Sequence, residues 1–239
     1  MVVPYKEAQS SKKEQVREMF DNIAPRYDFL NHFLSVGIDK LWRKKVCKIV
    51  AKGNPKVIMD MASGTGDLAI GLSKLKPERI VGVDISENML KIGEKKVEKK
   101  GLDNLISFRV GDAENLEDPN DTYDAITCAF GVRNFENIHK GLSEFHRVLK
   151  NEGRLVILEL SMPENKFFKL IYKVYFSYIL PLWGKVVSKN DVAYNYLPES
   201  VANFPKRSVF LENMKDAGFK DCYAKSLTFG IATIFVGTK

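Results

Sequence analysis

The sequence has few cysteines, no long hydrophobic run and no large excess of one charge. Its 239 residues include only three cysteines, Cys47, Cys128 and Cys222, which lie far apart. Such cysteines make neither a disulfide framework nor a paired-cysteine metal cluster, which favours a reducing compartment. No uncharged stretch reaches the ~18 apolar residues that a membrane span needs, and no basic start precedes an apolar run as in a secretory signal. We therefore expect a cytoplasmic protein with no membrane span and no metal site.

The composition is that of a folded globular protein with a moderate basic charge. Hydrophobic residues make up 45% and charged residues 28% of the chain, which excludes a disordered protein. The net charge of +7 and the pI of about 9.1 would suit a nucleic-acid ligand. However, the lysines are spread along mixed-sign runs such as residues 91–100, which are typical of solvated helix faces. We expect no nucleic-acid partner, and the length favours one domain.

Short apolar runs alternate with helical segments through the middle of the chain. Helical spacing of apolar residues covers 86–100 and 137–150. The apolar runs are Val57–Met59, Ile80–Val83, Ile106–Val110, Ala125–Ala129 and Leu155–Leu158. Strands that alternate with helices indicate right-handed βαβ units. The sequence therefore predicts an α/β fold with a doubly wound, mostly parallel sheet.

The two ends of the chain depart from this alternation. Residues 12–50 show helical periodicity, interrupted by Pro25. Near the C-terminus, the strand-like runs Tyr223–Thr228 and Ile231–Val236 are separated by a Phe-Gly pair, which predicts a hairpin. We expect this hairpin to place an antiparallel strand at one edge of the sheet.

A glycine-containing loop directly follows the first predicted strand. Gly64 and Gly66 allow a tight turn and a close approach of a ligand to the backbone. With Ala69, the loop fits the G-x-G-x-x-A pattern of dinucleotide sites, and Asp84 lies 20 residues after Gly64, where a ribose-binding acid is expected. The loop alone is therefore compatible with an NAD-linked oxidoreductase.

Acidic residues near this loop favour S-adenosylmethionine over NAD. Asp60, Thr65 and Asp67 make the loop polar and acidic, which would repel a pyrophosphate and attract a sulfonium and an amino group. After the third strand, Asp112 could accept a hydrogen bond from an adenine amino group. The carboxyl ends of three successive strands thus present an acid at the edge where open α/β sheets bind ligands.

Several motifs resemble those of known enzymes. Residues 60–66, Asp84 and the pair Asp112–Ala113 resemble the cofactor site of class I S-adenosylmethionine-dependent methyltransferases. From about residue 12 to the C-terminus, the chain is also similar to the ubiquinone/menaquinone biosynthesis C-methyltransferases. The motifs that carry this second resemblance are Met19–Asn31 followed by Ser35, Gly37 and Trp42, then Phe130–Asn134, Arg147–Lys150, Leu158–Pro163 and Tyr194–Ser200.

The chain departs from that family's usual pattern at a few positions. Asp39 stands where the family usually has His, and Leu30 where it usually has Met. Ala129 replaces a common serine, so a hydroxyl contact to the cofactor is not expected there.

The resemblance implies methyl transfer from S-adenosyl-L-methionine to a ring carbon of a polyprenylated quinol. Demethylmenaquinol is the substrate we favour, and a 2-polyprenyl-6-methoxy-1,4-benzoquinol of ubiquinone biosynthesis is the alternative. A class I methyltransferase with an RNA or protein substrate is a further alternative. The resemblance assigns the cofactor to Asp60, Gly64, Thr65, Gly66, Asp84, Asp112 and Ala113.

The resemblance also suggests catalytic residues. Arg133 and Asn134 would orient and stabilise the phenolic oxygen, although Arg133 could instead be a surface cation or pair with Asp67 or Glu136. Tyr27 and Asp28 belong to an N-terminal segment that would cover the cofactor. The sequence does not choose the catalytic base; the candidates are Asp28, His32 and Asp39.

One domain would then have four parts. We assign 1–54 to an N-terminal helical lid, 55–160 to the cofactor-binding core, 161–205 to a substrate-side insertion, and 206–239 to a C-terminal helix and hairpin. Within the insertion, residues 167–183 are rich in aromatics, and Lys166, Lys169 and Lys173 recur at helical spacing. This suits weak, reversible contact with a membrane surface, or else a lid helix packed on the domain. Whether the protein is a homodimer is left open.

Overall fold

A seven-stranded sheet forms the centre of the computed structural model, which describes residues 2–165, 167, 168, 170, 172 and 191–239. The strand order is β3-β2-β1-β4-β5-β7-β6. The strands are β1 (Val57–Met61), β2 (Arg79–Asp84), β3 (Ile106–Val110), β4 (Tyr123–Ala129), β5 (Leu149–Leu160), β6 (Lys220–Leu227) and β7 (Ala232–Thr238). Strands β1 to β5 pair in parallel, whereas β7 is antiparallel to both β5 and β6. The predicted doubly wound α/β fold and its C-terminal hairpin are confirmed.

The structure refines the position of the hairpin at the sheet edge and corrects one predicted helix boundary. The antiparallel strand β7 is second from the edge, because β6 pairs along its outer side. Strand β5 begins at Leu149, although the sequence predicted a helix up to residue 150. Tyr123 pairs with Leu149 across a bulge, so the polar residues that follow continue the strand.

Helices cover both faces of the sheet and its carboxyl edge. They are α1 (Lys12–Ile23), α2 (Tyr27–Leu34), α3 (Ile38–Val50), α4 (Asp67–Leu72), α5 (Glu87–Glu98), α6 (Ile138–Val148), α7 (Asp191–Asn203) and α8 (Arg207–Asp216). Helix α1 begins after Ser11, which forms a capping box with Glu14 and satisfies amide groups at the helix start. Pro25 lies in the short 3-10 turn that separates α1 from α2.

The core has one layer on each side of the sheet. On one face, Phe145 of α6 and Phe210 of α8 are fully buried. On the other face, Val46 of α3 and Leu72 of α4 are fully buried. Burial of each such side chain contributes roughly 1.5–3 kcal/mol, so both layers hold the helices firmly on the sheet. This leaves the carboxyl ends of β1, β2, β3 and β4 as the place where loops can form a site.

A smaller apolar cluster holds the N-terminal helices over this edge. Val16 and Met19 of α1 pack with Tyr196 of α7. Asp21 of α1 also accepts hydrogen bonds from the Ser86 hydroxyl and the Asn88 amide at the start of α5. Thus α1 is tied both to α7 and to the strand-end side of the core.

The predicted membrane segment is only partly described. The part of the chain outside the described residues includes 166, 169, 171 and 173–190, and thus all three lysines, Lys166, Lys169 and Lys173. The membrane contact predicted for 167–183 therefore stays a prediction. Among the helices that the structure describes, none is both long and apolar enough to span a bilayer.

Candidate active site

The loop between β1 and α4 is shaped by two glycines with left-handed backbone conformations. Gly64 has φ +54° and Gly66 has φ +77°. A Cβ on Gly66 would meet the ring of Phe108 at 2.7 Å, so a larger residue would have to displace that ring. The Gly64 amide donates a hydrogen bond of 2.8 Å to Asp84 Oδ2. The loop is therefore held against the end of β2.

Asp60 and Thr65 hold this loop from within the protein. Asp60 is buried and accepts hydrogen bonds from the hydroxyls of Ser63, at 2.8 Å, and Thr127, at 2.7 Å. Burial raises the pKa of Asp60 to about 6, against the effect of these hydrogen bonds. The Thr65 hydroxyl donates to Asp28 of α2. Asp60, Thr65 and Gly66 line neither of the two cavities described below.

The expected attraction of the loop's acids for a sulfonium is not supported by this geometry. Asp60 accepts hydrogen bonds from hydroxyls, and Asp67 forms an ion pair with Lys96 and lies 3.4 Å from His32 Nε2. The carboxylates of Asp60 and Asp67 are therefore already bound by other residues of the protein.

Asp84 and Asp112 lie at the ends of neighbouring strands. Asp84 is the last residue of β2, and its second oxygen accepts a hydrogen bond of 2.9 Å from the Ser86 amide. Burial raises its pKa to about 6, although the amide hydrogen bonds favour the ionised form. Asp112 follows β3 and forms an ion pair with Lys13 of α1. Both side chains fulfil the expectation of acids at the carboxyl edge.

A strand-end cavity lies between these acids and the N-terminal helices. It measures about 60 Å³, which holds a few water molecules. Its wall includes the predicted residues Tyr27, Gly64, Asp84, Asp112, Ala113 and Asn134. Lys13 and Phe20 of α1 also line it, so the N-terminal helices close it from one side.

A second, largely apolar cavity adjoins the first and measures about 340 Å³. Phe20, Tyr27 and Phe130 line both cavities and so form a shared wall. The apolar cavity also takes in Trp42 and Tyr196 from helices α3 and α7. It is large enough for an aromatic ring and the beginning of a hydrocarbon tail.

Arg133 lies in the wall of the apolar cavity and is buried. Its Nη1 donates to Glu159 Oε1 at 2.7 Å and also to the Phe130 carbonyl. Burial disfavours the charge of Arg133, but Glu159 and the hydroxyls of Tyr27 and Tyr196 outweigh it and raise its pKa. The expectation of a surface cation, or of a pair with Asp67 or Glu136, is therefore wrong.

One donor of Arg133 has no partner. Its Nε is buried and without a hydrogen bond to any residue that the structure describes. Asn134, by contrast, uses its side-chain oxygen to accept a hydrogen bond of 3.1 Å from the Tyr196 hydroxyl. The free donor thus belongs to Arg133, and Asn134 positions Tyr196.

The three candidate bases have different surroundings. Asp28 forms an ion pair of 2.9 Å with Lys96, and neither it nor His32 lines the apolar cavity. Asp39 does line that cavity; it is buried, accepts hydrogen bonds from Ser35 and Arg43, and its carboxylate lies 2.8 Å from His32 Nδ1. Burial would raise the pKa of Asp39, but these partners lower it overall. Asp39 is therefore a strong hydrogen-bond acceptor and a weak base.

Some residues of the site were not predicted from the sequence. Arg43, Lys96 and Glu159 received no role, although Glu159 interrupts the apolar run 155–160. A single charge inside a buried strand needs a partner, so this position carried a usable signal. Lys96 sits among other charged residues of α5, and nothing in the sequence distinguishes it.

The antiparallel strand inserted beside β5, with acids at the ends of β2 and β3, defines a class I S-adenosylmethionine-dependent methyltransferase. A similar fold occurs in a methyltransferase from Thermotoga maritima, described as a possible histamine N-methyltransferase. That chain is 19% identical, with a TM-score of 0.62, and the match covers 93% of this chain and 99% of that one.

The chain belongs to the ubiE/COQ5 methyltransferase family, which matches residues 8–239. A demethylmenaquinone methyltransferase from Bacteroides fragilis is 47% identical over 229 residues, which cover 95% of this chain and 94% of the relative. A Geobacter sulfurreducens protein named ubiquinone/menaquinone biosynthesis C-methyltransferase UbiE is 44% identical over 232 residues, covering 96% and 90%. The predicted family and the predicted cofactor, S-adenosylmethionine, are confirmed.

Proposed function

We propose that the protein methylates a ring carbon of a polyprenylated quinol, with demethylmenaquinol as its substrate. The observation that carries this proposal is that Phe20, Tyr27 and Phe130 line both a cavity with strand-end acids and a large apolar cavity. A polar cofactor and an apolar ring would meet where these two cavities adjoin. The name of the Bacteroides fragilis relative supports demethylmenaquinol over the benzoquinol of ubiquinone biosynthesis.

The residues of the strand-end cavity fit the cofactor chemically. S-adenosylmethionine supplies a methyl group that its sulfonium has already activated. Asp84 would offer a carboxylate oxygen to the ribose hydroxyls, and Asp112 with Ala113 would border the adenine. Asp60, Thr65 and Gly66 hold the loop in position from outside the cavity, and Gly64 lets the backbone approach closely.

The N-terminal helices cover one side of the strand-end cavity. Lys13, Phe20 and Tyr27 come from α1 and α2, so these helices would move outward to admit the cofactor and return to exclude water. We propose that the N-terminal helices act as the lid of the site.

In the apolar cavity, the guanidinium of Arg133 would orient a phenolic oxygen of the quinol. The ring carbon becomes nucleophilic as this oxygen gains negative charge, since a phenol with a pKa near ~10 is neutral at pH 7. A guanidinium N–H of Arg133 would form a hydrogen bond that strengthens as the charge develops. Its ion pair with Glu159 fixes the guanidinium in place.

Asp39 would accept a hydrogen bond from a phenolic hydroxyl. Because its pKa is lowered, it would polarise the O–H bond without keeping the proton. When the ring carbon has gained the methyl group, it loses its own proton and the ring becomes aromatic again. One proton is released to water for each methyl group transferred.

A direct assay tests the function. The purified protein would be incubated with S-adenosylmethionine and reduced demethylmenaquinol, and the product analysed by mass spectrometry. We expect menaquinol, and no reaction with the oxidised quinone, because it has no phenolic hydroxyl. Methylation of only the 2-polyprenyl-6-methoxy-1,4-benzoquinol would move the protein to ubiquinone biosynthesis, and methylation of neither would contradict a quinol substrate.

The substrate also bears on where the enzyme works. Each CH₂ of a prenyl tail contributes roughly 0.8 kcal/mol to its burial in the bilayer, so the tail does not leave the membrane readily. We therefore expect a cytoplasmic enzyme that meets its substrate peripherally, at the membrane surface.

A further inference from the structure

Helices α2 and α3 expose large apolar side chains beside the apolar cavity. Phe29 is 57% exposed, Leu41 is 55% exposed and Val36, between the two helices, is 83% exposed. Val36 also lines the apolar cavity, so this cavity reaches the surface at Val36, between the helices that carry Phe29 and Leu41. Exposed apolar residues that are grouped at the mouth of a cavity indicate an interaction surface.

The backbone at Val36 follows from the end of helix α2. Its φ is +51°, because Val36 and Gly37 complete a Schellman motif in which their amides donate to the carbonyls of Phe33 and His32. This cap leaves the valine side chain in solvent at the rim of the apolar cavity.

The exposed face of α3 carries one sign of charge. Lys44, Lys45 and Lys48 are all exposed, and among the described residues they have no salt-bridge partner. The acidic residue of this helix, Asp39, is buried and paired with Arg43. The helix therefore presents an uncompensated positive face to solvent.

Helix α5 shows that such a face is not general in this protein. Its exposed residues include Glu87 and Lys91, which form an ion pair of 2.9 Å, and Glu94. The lysines of α5 are thus mixed with acids, as on an ordinary solvated helix. Of the two helices, α3 is therefore the one that presents only basic residues on its exposed face, and it lies next to the cavity mouth.

A second apolar element reaches the same cavity from the sheet. Phe229, in the turn between β6 and β7, is 67% exposed and stacks on Phe168 with ring centroids 4.2 Å apart. The preceding Thr228 lines the cavity and accepts a hydrogen bond of 2.9 Å from the Trp42 indole of α3. This bond ties the turn that carries Phe229 to α3.

We propose that Phe29, Val36, Leu41, Lys44, Lys45 and Lys48 form a docking surface for an anionic lipid bilayer. The proposal rests on the proposed function, because a membrane is where a polyprenylated quinol is found. The apolar side chains enter the interface and the lysines attract the anionic headgroups. With the surface seated on lipid, the prenyl tail passes past Val36 into the apolar cavity without crossing water.

The charge component is tested with vesicles of phosphatidylcholine and phosphatidylglycerol. A variant with Lys44→Glu, Lys45→Glu and Lys48→Glu should bind these vesicles at least about tenfold more weakly in co-sedimentation. The binding of the unchanged protein should also weaken as salt is raised, because the charges are exposed.

A matched control changes the net charge by the same amount elsewhere. Lys95, Lys99 and Lys100 lie on or just after α5 and are exposed. Their replacement with Glu should leave vesicle binding within about twofold of the unchanged protein. Equal weakening by both triple variants would mean that only net charge matters, and it would overturn the docking surface.

The apolar component is tested with Phe29→Ser combined with Leu41→Ser. Neither residue lines a cavity. This variant should lose vesicle binding and methylation of long-chain quinol in vesicles to the same degree. It should retain its activity on a tail-less, water-soluble quinol. A control with Val110→Ser and Val209→Ser, two other exposed apolar positions, should behave like the unchanged protein.

The outcomes separate this proposal from the proposed function. If the unchanged protein methylates neither quinol, the function is wrong, whatever the vesicles show. If it methylates the long-chain quinol but the α2–α3 variants bind vesicles normally, the docking surface is wrong. If those variants instead dissociate a homodimer in sedimentation velocity, the surface binds a second copy of the chain and the lipid proposal is overturned.

Discussion

Arg133 Nη1 and Glu159 Oε1 form an ion pair of 2.7 Å in which Glu159 is fully buried. This pair joins the turn after β4 to strand β5, and its Arg133 lines the apolar cavity. Removal of one charge from a buried pair costs about 3–5 kcal/mol, because the other charge remains without a partner. An alanine at position 133 would therefore change stability and catalysis together.

Arg133→Lys separates the two effects. Lysine keeps a positive charge for Glu159 but lacks the planar guanidinium N–H groups that would hold the phenolic oxygen. We expect kcat to fall about tenfold or more, with the thermal midpoint and the affinity for S-adenosylhomocysteine nearly unchanged. Arg79→Lys, at an exposed position, is the control. An unchanged kcat would remove Arg133 from the catalytic residues.

Asp84→Asn tests the cofactor site. The amide keeps the shape of the side chain but loses an acceptor that now serves the amides of Gly64 or Ser86 and would serve a ribose hydroxyl. We expect the Kd for S-adenosylhomocysteine to rise at least tenfold, about 1.4 kcal/mol, in calorimetry. Asp103→Asn is an exposed control. Equal Kd values for the two variants would exclude Asp84 from the site.

The placement of Asp84 and Asp112 could be predicted from the sequence, because the carboxyl ends of parallel strands meet at one edge. The direction of Asp60 could not be predicted in this way. Strand periodicity does not show that Thr127, on a neighbouring strand, supplies the hydroxyl that turns the Asp60 carboxylate inward.

Contacts between segments that are far apart in the chain also could not be predicted from the sequence. Arg133 and Glu159 are 26 positions apart, and Lys96 and Asp28 are 68 apart. Each pairing depends on how the helices and loops meet over the sheet. The family resemblance identified Arg133 but could not supply its partner.

Asp60→Asn should make the protein more stable at neutral pH. Burial raises the folded pKa of Asp60 from 3.8 to about 6, so the folded protein holds this proton more tightly than the unfolded chain. The contribution of Asp60 is therefore most favourable below about pH 4 and declines as pH rises to about 6. Above that pH the ionised group costs about 3 kcal/mol, from 1.36 kcal/mol for each pKa unit.

Urea unfolding at several pH values measures this effect. The stability gain of Asp60→Asn should grow between about pH 4 and pH 6 and stay constant above. Asp124→Asn should show the opposite trend. Burial is outweighed at Asp124 by hydrogen bonds from Lys150, Val57 and Lys56, which lower its pKa, so its stabilisation is lost as pH falls. A pH-independent gain for Asp60→Asn would show that Asp60 does not titrate in this range.

Lys96→Met tests the lid. Lys96 of α5 pairs with Asp28 of α2 and with Asp67 at the start of α4, and it contacts the Thr65 hydroxyl at 3.3 Å. Without the lysine, Asp28 and Asp67 would repel each other and α2 would leave the loop more readily. Because α2 also supplies Tyr27 to both cavities, the opening of α2 would open the strand-end cavity.

The expected result is therefore kinetic. The association and dissociation rates of S-adenosylhomocysteine, measured by stopped-flow fluorescence, should both rise severalfold in Lys96→Met, while their ratio changes less. High salt should also raise both rates in the unchanged protein, because the ion pairs of Lys96 are partly exposed and salt weakens them. The neighbouring Lys95→Met, on the exposed face of α5, should leave both rates unaltered. If only the dissociation rate rises, the contacts of Lys96 with Asp28 and Asp67 stabilise the bound state, and they do not control the opening of the lid.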